Sequence, residues 1–201
     1  VCSGACTPLC STARGNLTGD MSGFSDTWLI VPCYNEGTVI FDVLTNARET
    51  LPNIVGVNDG SADDSAAQIR AAGAHLVDHP VNLGQGAAIQ TGVEYARAQP
   101  GAKYFVTFDA DGQHQVKDVM RMIERLRTEP LDIIVGTRFA GQENSQVPWI
   151  KRAVLKTVVM LSPRTKKLGL TDAHNGLRAF NRRVAEEMNI RMNGMSHASE
   201  I

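Results

Sequence analysis

Two carboxylates separated by one residue, Asp109 and Asp111, stand at the end of the apolar run Phe105-Val106-Thr107-Phe108. That run has the composition of a buried strand, and in an extended chain residues i and i+2 project to the same side. The spacing therefore predicts that both carboxylates aim together, just past the strand's carboxyl end. Like charges held so close repel unless a cation lies between them. A pair of hard oxygen donors suits Mg²⁺ or Mn²⁺, a metal commonly shared with substrate phosphates, so the segment points to a nucleotide. Asp and Gly are also ordinary turn residues, and Asp109-Ala110-Asp111-Gly112 alone reads equally well as a polar turn closing a strand.

Three more polar clusters follow apolar runs: Pro32-Cys33-Tyr34-Asn35-Glu36, Asn58-Asp59-Gly60-Ser61, and Asn82-Leu83-Gly84-Gln85-Gly86-Ala87-Ala88. Tyr34 could stack on a base. Glu36 and Asp59 could accept hydrogen bonds from ribose hydroxyls or base N–H groups. Gly84 and Gly86 would let backbone approach a ligand closely, at a helix start that favours anions. Turns and caps account for the same glycines. Gly84-Gln85-Gly86 has too few glycines, in the wrong place, for a dinucleotide fingerprint.

The elements that must position these clusters alternate. Strands are predicted at Trp28–Cys33, Ile54–Val57, Ala74–Asp78, Tyr104–Phe108 and Leu131–Val135. Helical spacing predicts helices at Val39–Leu51, Gln85–Ala98, Val116–Thr128, Lys151–Leu161 and Arg182–Met188. Another helix, capped by Ser61 or Asp63, runs to about Ala72, with Gly73 as its left-handed stop. This alternation predicts an α/β fold: a mostly parallel, doubly wound sheet with helices on both faces. Ligands in such sheets bind beyond the carboxyl ends of the strands, where the polar clusters fall.

Composition narrows the classes. The chain has 201 residues, 43% apolar and 20% charged, as expected of one globular domain. A net charge of −1 and an aromatic fraction of 5% argue against a nucleic-acid partner. No apolar run reaches the roughly 18 residues of a spanning helix. The stretch Val147–Leu161, interrupted by Pro148, Lys151, Arg152 and Lys156, reads as a core helix or as one resting on a membrane surface. Lys151, Arg152, Arg164, Lys166 and Lys167 read first as a solvated face, with lipid headgroups as the alternative. Residues 1–26, rich in Gly, Ser and Thr and carrying Cys2, Cys6 and Cys10, read as a disordered leader or an expression remnant. The folded domain is then expected over 27–201, cut short at its C-terminus. Without a signal-peptide pattern, a reducing cytosolic location follows, with the inner face of a membrane as an extension of it.

Taken together, the clusters resemble the family-two glycosyltransferases of GT-A fold, and within them the polyprenyl-phosphate branch that includes dolichyl-phosphate mannose synthase. The resemblance rests on Val31-Pro32-Cys33-Tyr34-Asn35-Glu36, Val57-Asn58-Asp59-Gly60-Ser61, Asn82-Leu83-Gly84-Gln85-Gly86 and Asp109-Ala110-Asp111-Gly112-Gln113-His114. Gly136-Thr137-Arg138 and Thr171-Asp172-Ala173-His174-Asn175-Gly176-Leu177-Arg178-Ala179-Phe180 continue it in order, so that it spans about Trp28 to Ile201. It implies that Pro32, Tyr34, Glu36 and Asp59 hold the nucleoside of a UDP- or GDP-sugar, with Asn35, Gly84, Gln85 and Ala110 in the same donor-binding segments. Asp109, Asp111 and Gln113 would hold the Mg²⁺ or Mn²⁺ that bridges to the diphosphate. Arg138 would neutralise phosphates or orient the sugar, and Asp172 would be the base if the acceptor is a hydroxyl. His114 and His174 read as structural before catalytic. Two departures concern specificity: Asn58 replaces a common acidic residue, and Ala173-His174-Asn175 replaces the Pro-x-Cys frequent in the mannose synthase branch.

The resemblance implies metal-dependent, inverting transfer of a sugar to a lipid phosphate or a saccharide, in cell envelope biosynthesis. Peripheral membrane contact and an isologous homodimer are compatible with the chain and demanded by nothing in it. Two rival readings are a nucleotidyltransferase and a non-catalytic nucleotide-sugar binder. The first usually needs a Gly-rich basic loop straight after the first strand, which Tyr34-Asn35-Glu36-Gly37 lacks. Retention of both Asp109 and Asp111 argues against the second.

Overall fold

The computed structural model of the chain describes residues 21–111, 115–136 and 176–190. Among the described residues, six strands form one sheet: β1 Thr27–Cys33, β2 Asn53–Asn58, β3 His75–Asp78, β4 Tyr104–Thr107, β5 Ile133–Val135 and β6 Arg178–Asn181. The helices are α1 Ile40–Arg48, α2 Ser65–Ala71, α3 Gln85–Arg97, α4 Val116–Thr128 and α5 Arg182–Glu187. The spatial order of strands is β3-β2-β1-β4-β6-β5. Strands β1 to β4 pair in parallel, whereas β6 lies antiparallel to both β4 and β5. Only β6 therefore runs backwards, and the mostly parallel sheet expected from the alternation is what forms.

Every residue of β1 is buried, as befits a central parallel strand covered on both faces. Side chains alternate across it. Leu29, Val31 and Cys33 join a core built with Ile40 and Leu44 of α1, Ile69 of α2 and Val119 and Ile123 of α4. Trp28 and Ile30 join the opposite core, with Ile89 and Val93 of α3, Phe105, Phe180 and Ala185 of α5. Helix α3 comes so close to the sheet that a Cβ on Gly92 would lie 3.2 Å from Val57 Cγ2 and collide with Ile30.

The structure departs from the sequence expectations in three places here. Strand β6 was not anticipated. Its short apolar stretch contains Arg178, and only pairing with distant β4 and β5 makes it a strand. Neither Ser61 nor Asp63 occupies the cap of α2. That position is Asp64, without a side-chain cap bond, while Asp63 Oδ1 accepts the Ser65 N–H at 3.0 Å from just outside. The fold also begins before Thr27. Met21–Phe24 form a 3-10 turn and Phe24 packs on the core. Arg127 lies 5.1 Å from the Phe24 ring centroid and 5.3 Å from that of Tyr104, and pairs with Asp26 at 2.5 Å. Phe24 and Asp26 are thus packed and paired with the folded body.

What the topology does for function is local to β1. The chain winds outward from β1 through β2 to β3, then returns to lay β4 on the other side of β1. At that reversal the carboxyl ends of β1, β2 and β4 open onto one crevice.

Candidate active site

A cavity of about 340 Å³ fills the crevice, within the size range of small-ligand sites. Pro32, Tyr34 and Glu36 come to it from the end of β1 and Asp59 from the end of β2. Gly84 and Gln85 come from the start of α3, and Asp109, Ala110 and Asp111 from the end of β4. Nine donor-site residues expected from the sequence therefore converge on one cavity. Cys33, Asn82 and Ala88 also line it, and had been given no role. Asn35 does not line it. Gln113, His114, Arg138, Asp172 and His174 lie outside the described residues, as do the segment Lys151–Leu161 and Cys2, Cys6 and Cys10.

The rim on the β1 side is a latch between two loops. Asn35, at φ 56°, occupies the left-handed region that asparagine tolerates better than most residues. Its N–H donates to Ser61 Oγ at 2.9 Å, and its Oδ1 accepts the Ala62 N–H at 2.9 Å. The Glu36 N–H donates to Ser65 Oγ at 3.0 Å and the Gly37 N–H to Asp63 Oδ2 at 2.9 Å. The Ser65 hydroxyl bond, more than any other group, holds the Asp63 carboxyl below its ordinary value. Burial pushes the Cys33 thiol up, so it stands in the cavity wall as a neutral, weakly polar group.

At the end of β2, Asn58 and Asp59 divide their work. Asn58 Nδ2 donates to Asp78 Oδ1 at 2.6 Å, and its Oδ1 accepts the Ser61 N–H at 3.3 Å. An aspartate at 58 would set a second carboxylate against Asp78, which gives the asparagine a local reason. Asp59 is 2% exposed. It accepts the Leu83 N–H at 2.9 Å and the Gly84 N–H at 2.7 Å, closing the 79–84 loop over the cavity floor. Gly84 needs φ 96° to present that N–H, a conformation costly for any residue with a Cβ.

The paired carboxylates do not sit on an extended strand. Strand β4 ends at Thr107, and residues 110–111 form a turn, so the i, i+2 alternation does not apply. Asp109 is half-buried, Ala110 is buried and Asp111 is exposed. They share the cavity because the turn wraps around its edge. Gln85 Nε2 donates to Asp109 Oδ1 at 3.2 Å. Behind Asp109 stands Arg178, 2% exposed; burial lowers its guanidinium from the ordinary value, and the Asp109 charge counters that. Arg178 was given no role in the sequence reading, although an arginine inside Leu177-Arg178-Ala179-Phe180 was a signal: a buried cation requires a counter-charge.

Two carboxylates beside an open cavity fit a divalent cation that completes its shell with phosphate and water oxygens. Among the described residues no cluster of three or more His, Cys, Asp or Glu could hold a metal unaided. The fit depends on Gly176, whose missing Cβ would enter the Asp109 carboxylate. Its carbonyl is fixed by Thr107 Oγ1 at 2.6 Å, so the backbone cannot easily retreat. Gly176→Ala is therefore expected to weaken Mn²⁺-dependent nucleotide binding at least tenfold, while costing about 1–3 kcal/mol of stability. Calorimetric titration and a thermal melt read the two effects separately; unchanged Mn²⁺-dependent affinity would contradict the assigned contact.

Comparison with known proteins assigns this doubly wound sheet, with one reversed strand and carboxylates gathered at the switch point, to the GT-A glycosyltransferase fold. Residues 28–188 match the model of Glycosyl transferase family 2, and the chain belongs to that family. It is 32% identical over 165 residues to the uncharacterized protein MJ1222 of Methanocaldococcus jannaschii, covering 81% of this chain and 68% of that one. It is 29% identical over 174 residues to the UDP-N-acetylglucosamine–dolichyl-phosphate N-acetylglucosaminyltransferase of Methanococcus voltae, covering 77% of this chain and 69% of that one. Among solved structures it resembles glucosyl-3-phosphoglycerate synthase of Mycobacterium tuberculosis in complex with Mn²⁺, UDP-glucose and phosphoglyceric acid. That match has a TM-score of 0.66 at 16% identity, over 89% of this chain and 64% of that one, and speaks for the fold alone. The chain spans about two thirds of the length of these proteins.

Proposed function

We propose that this domain transfers a sugar, with inversion, from a nucleoside-diphosphate sugar to an acceptor, using Mg²⁺ or Mn²⁺. The observation that carries the reading is the convergence of Glu36, Asp59, Asp109 and Asp111 on one cavity at the start of α3. Asp59 offers a buried acceptor that suits a base with an N–H on its pairing edge, as in uracil and guanine. Tyr34, half-exposed at the rim, offers a stacking face, and Glu36 an acceptor for ribose hydroxyls.

Asp109 and Asp111, with Gln113, would hold the metal, which when bound neutralises charge developing on the leaving diphosphate. The bond between the anomeric carbon and the bridging phosphoryl oxygen breaks, and its electron pair departs with the nucleoside diphosphate. The acceptor oxygen closes on the opposite face. Arg138 would aid the departing phosphates or orient the sugar. A polyprenyl phosphate, the acceptor class suggested by the name of the Methanococcus voltae relative, is already ionised and needs little base. A saccharide hydroxyl would need one, and Asp172 is the candidate. A lipid acceptor would place the enzyme at the cytoplasmic face of a membrane. Among the described residues no helix is long and apolar enough to cross one.

Isothermal calorimetry with a panel of UDP- and GDP-sugars, with and without Mn²⁺, tests the reading. At least one donor is expected to bind in a metal-dependent way. If none does, and Asp111→Asn changes nothing, the proposal fails.

A further inference from the structure

Asp59 is held from behind by a side chain that does not itself line the cavity. His79 Nδ1 lies 2.8 Å from Asp59 Oδ1, and His79 Nε2 lies 3.0 Å from Thr91 Oγ1 on α3. Both partners are nearly closed to solvent, with side-chain exposures of 9% for His79 and 3% for Asp59. An ionised carboxylate only accepts, so the ring proton belongs on Nδ1, an assignment dictated by the network. Oδ1 then receives His79 and the Leu83 N–H, and Oδ2 receives the Gly84 N–H. Each carboxylate oxygen has about two acceptor positions. Oδ1 is filled, and among the described residues one position on Oδ2 remains for a ligand donor.

We propose that His79, braced by Thr91, is a positioning residue for nucleobase recognition. The inference rests on the reading of Asp59 as the base acceptor. Two backbone N–H groups alone pull the carboxylate toward the 79–84 loop. The His79 side chain, from the first residue of that loop but braced at its far nitrogen by Thr91 on α3, fixes its rotation about the side-chain bond. A carboxylate so fixed offers Oδ2 without reorganising, which is where preorganisation adds affinity. The diphosphate end of the cavity, at Asp109 and Asp111, lies outside this chain of contacts.

The test compares UDP and GDP with inorganic pyrophosphate, each with Mn²⁺, on the wild-type chain and on His79→Ala, His79→Asn and Thr91→Val. Binding is read by calorimetry, and donor KM and kcat by donor hydrolysis. His79→Ala is expected to weaken the preferred nucleoside diphosphate about ten- to a hundredfold, the scale of a lost hydrogen bond to a charged group. Pyrophosphate affinity and kcat should stay near wild type. Asn, whose amide can take the place of Nδ1–H, is expected to recover most of the loss, and Thr91→Val to show a smaller one. If His79→Ala folds poorly, Thr91→Val and His79→Asn carry the comparison. Equal weakening of pyrophosphate and nucleotide, or unchanged nucleotide binding in His79→Ala, would overturn the inference. A wild-type chain that binds neither UDP nor GDP would instead remove the reading of Asp59 on which it stands.

Discussion

Asp111→Asn is expected to lower kcat/KM for sugar transfer by about two to three orders of magnitude or more, the scale of losing one preorganised charge on a leaving group. Asp111 is exposed on the turn at the cavity edge, so a near-isosteric amide should alter stability by no more than about 0.5 kcal/mol. Mn²⁺-dependent binding of the donor should fall in parallel. Asp109→Asn separates the roles of the pair. It should lose activity as well, and also stability, because it removes the countercharge beside buried Arg178. Nucleoside-diphosphate release assays and thermal melts on both variants check this contrast. An Asp111→Asn chain within threefold of wild-type activity would refute a metal-binding role for Asp111.

The largest expected effect on folding is that of Phe105→Ala. Phe105 is fully buried on β4 and lies opposite Phe180 of β6, with ring centroids 5.9 Å apart and planes 19° from parallel. Truncating it leaves a void between the sheet and α3 and removes an aromatic pair. The expected cost is about 3–5 kcal/mol. Typical domains hold about 5–15 kcal/mol in all, so a large share of the stability goes. Because the pair fastens β6 to β4, the backbone that backs Asp109 should loosen too. Urea denaturation would show the shift in midpoint. A loss below about 1 kcal/mol would mean that the site collapses around the deletion rather than keeping a cavity.

Much of the fold was legible in the chain because strand and helix periods are local. Trp28–Cys33 and Val116–Thr128 announce a buried strand and an amphipathic helix in their own residues, and both form with nearly those ends. Helix α1 shows the limit. Its apolar spacing continues to Leu51, yet the helix stops at Arg48 while Leu51 stays fully buried as the chain turns into β2. Burial alone does not say which conformation achieves it. The capping of α2 was misplaced for a related reason. Ser61, Asp63 and Ser65 are capping residues by type, but the backbone of the neighbouring β1 loop claims them.

The site divides along the same line. From sequence alone come the residue types at the strand ends, and hence the class of ligand proposed: carboxylates, an aromatic and a glycine-bearing helix start are chemically informative wherever the chain goes. Asp109 and Asp111 began there, as a pair that a strand would aim together or a turn would merely close. The tertiary structure decided that a turn carries them to the cavity. It also made Asp59 the buried one among the carboxylates there, clamped by the Leu83 and Gly84 N–H groups and by the His79 side chain. It brought Gly176 and Arg178 against Asp109 by pairing β6 with β4, and Thr107 of β4 donates to the Gly176 carbonyl just before β6, 69 positions away. Local periodicity cannot encode such a contact. It exists only because an antiparallel strand fills the place between β4 and β5, and that pairing is settled by the burial of the whole sheet.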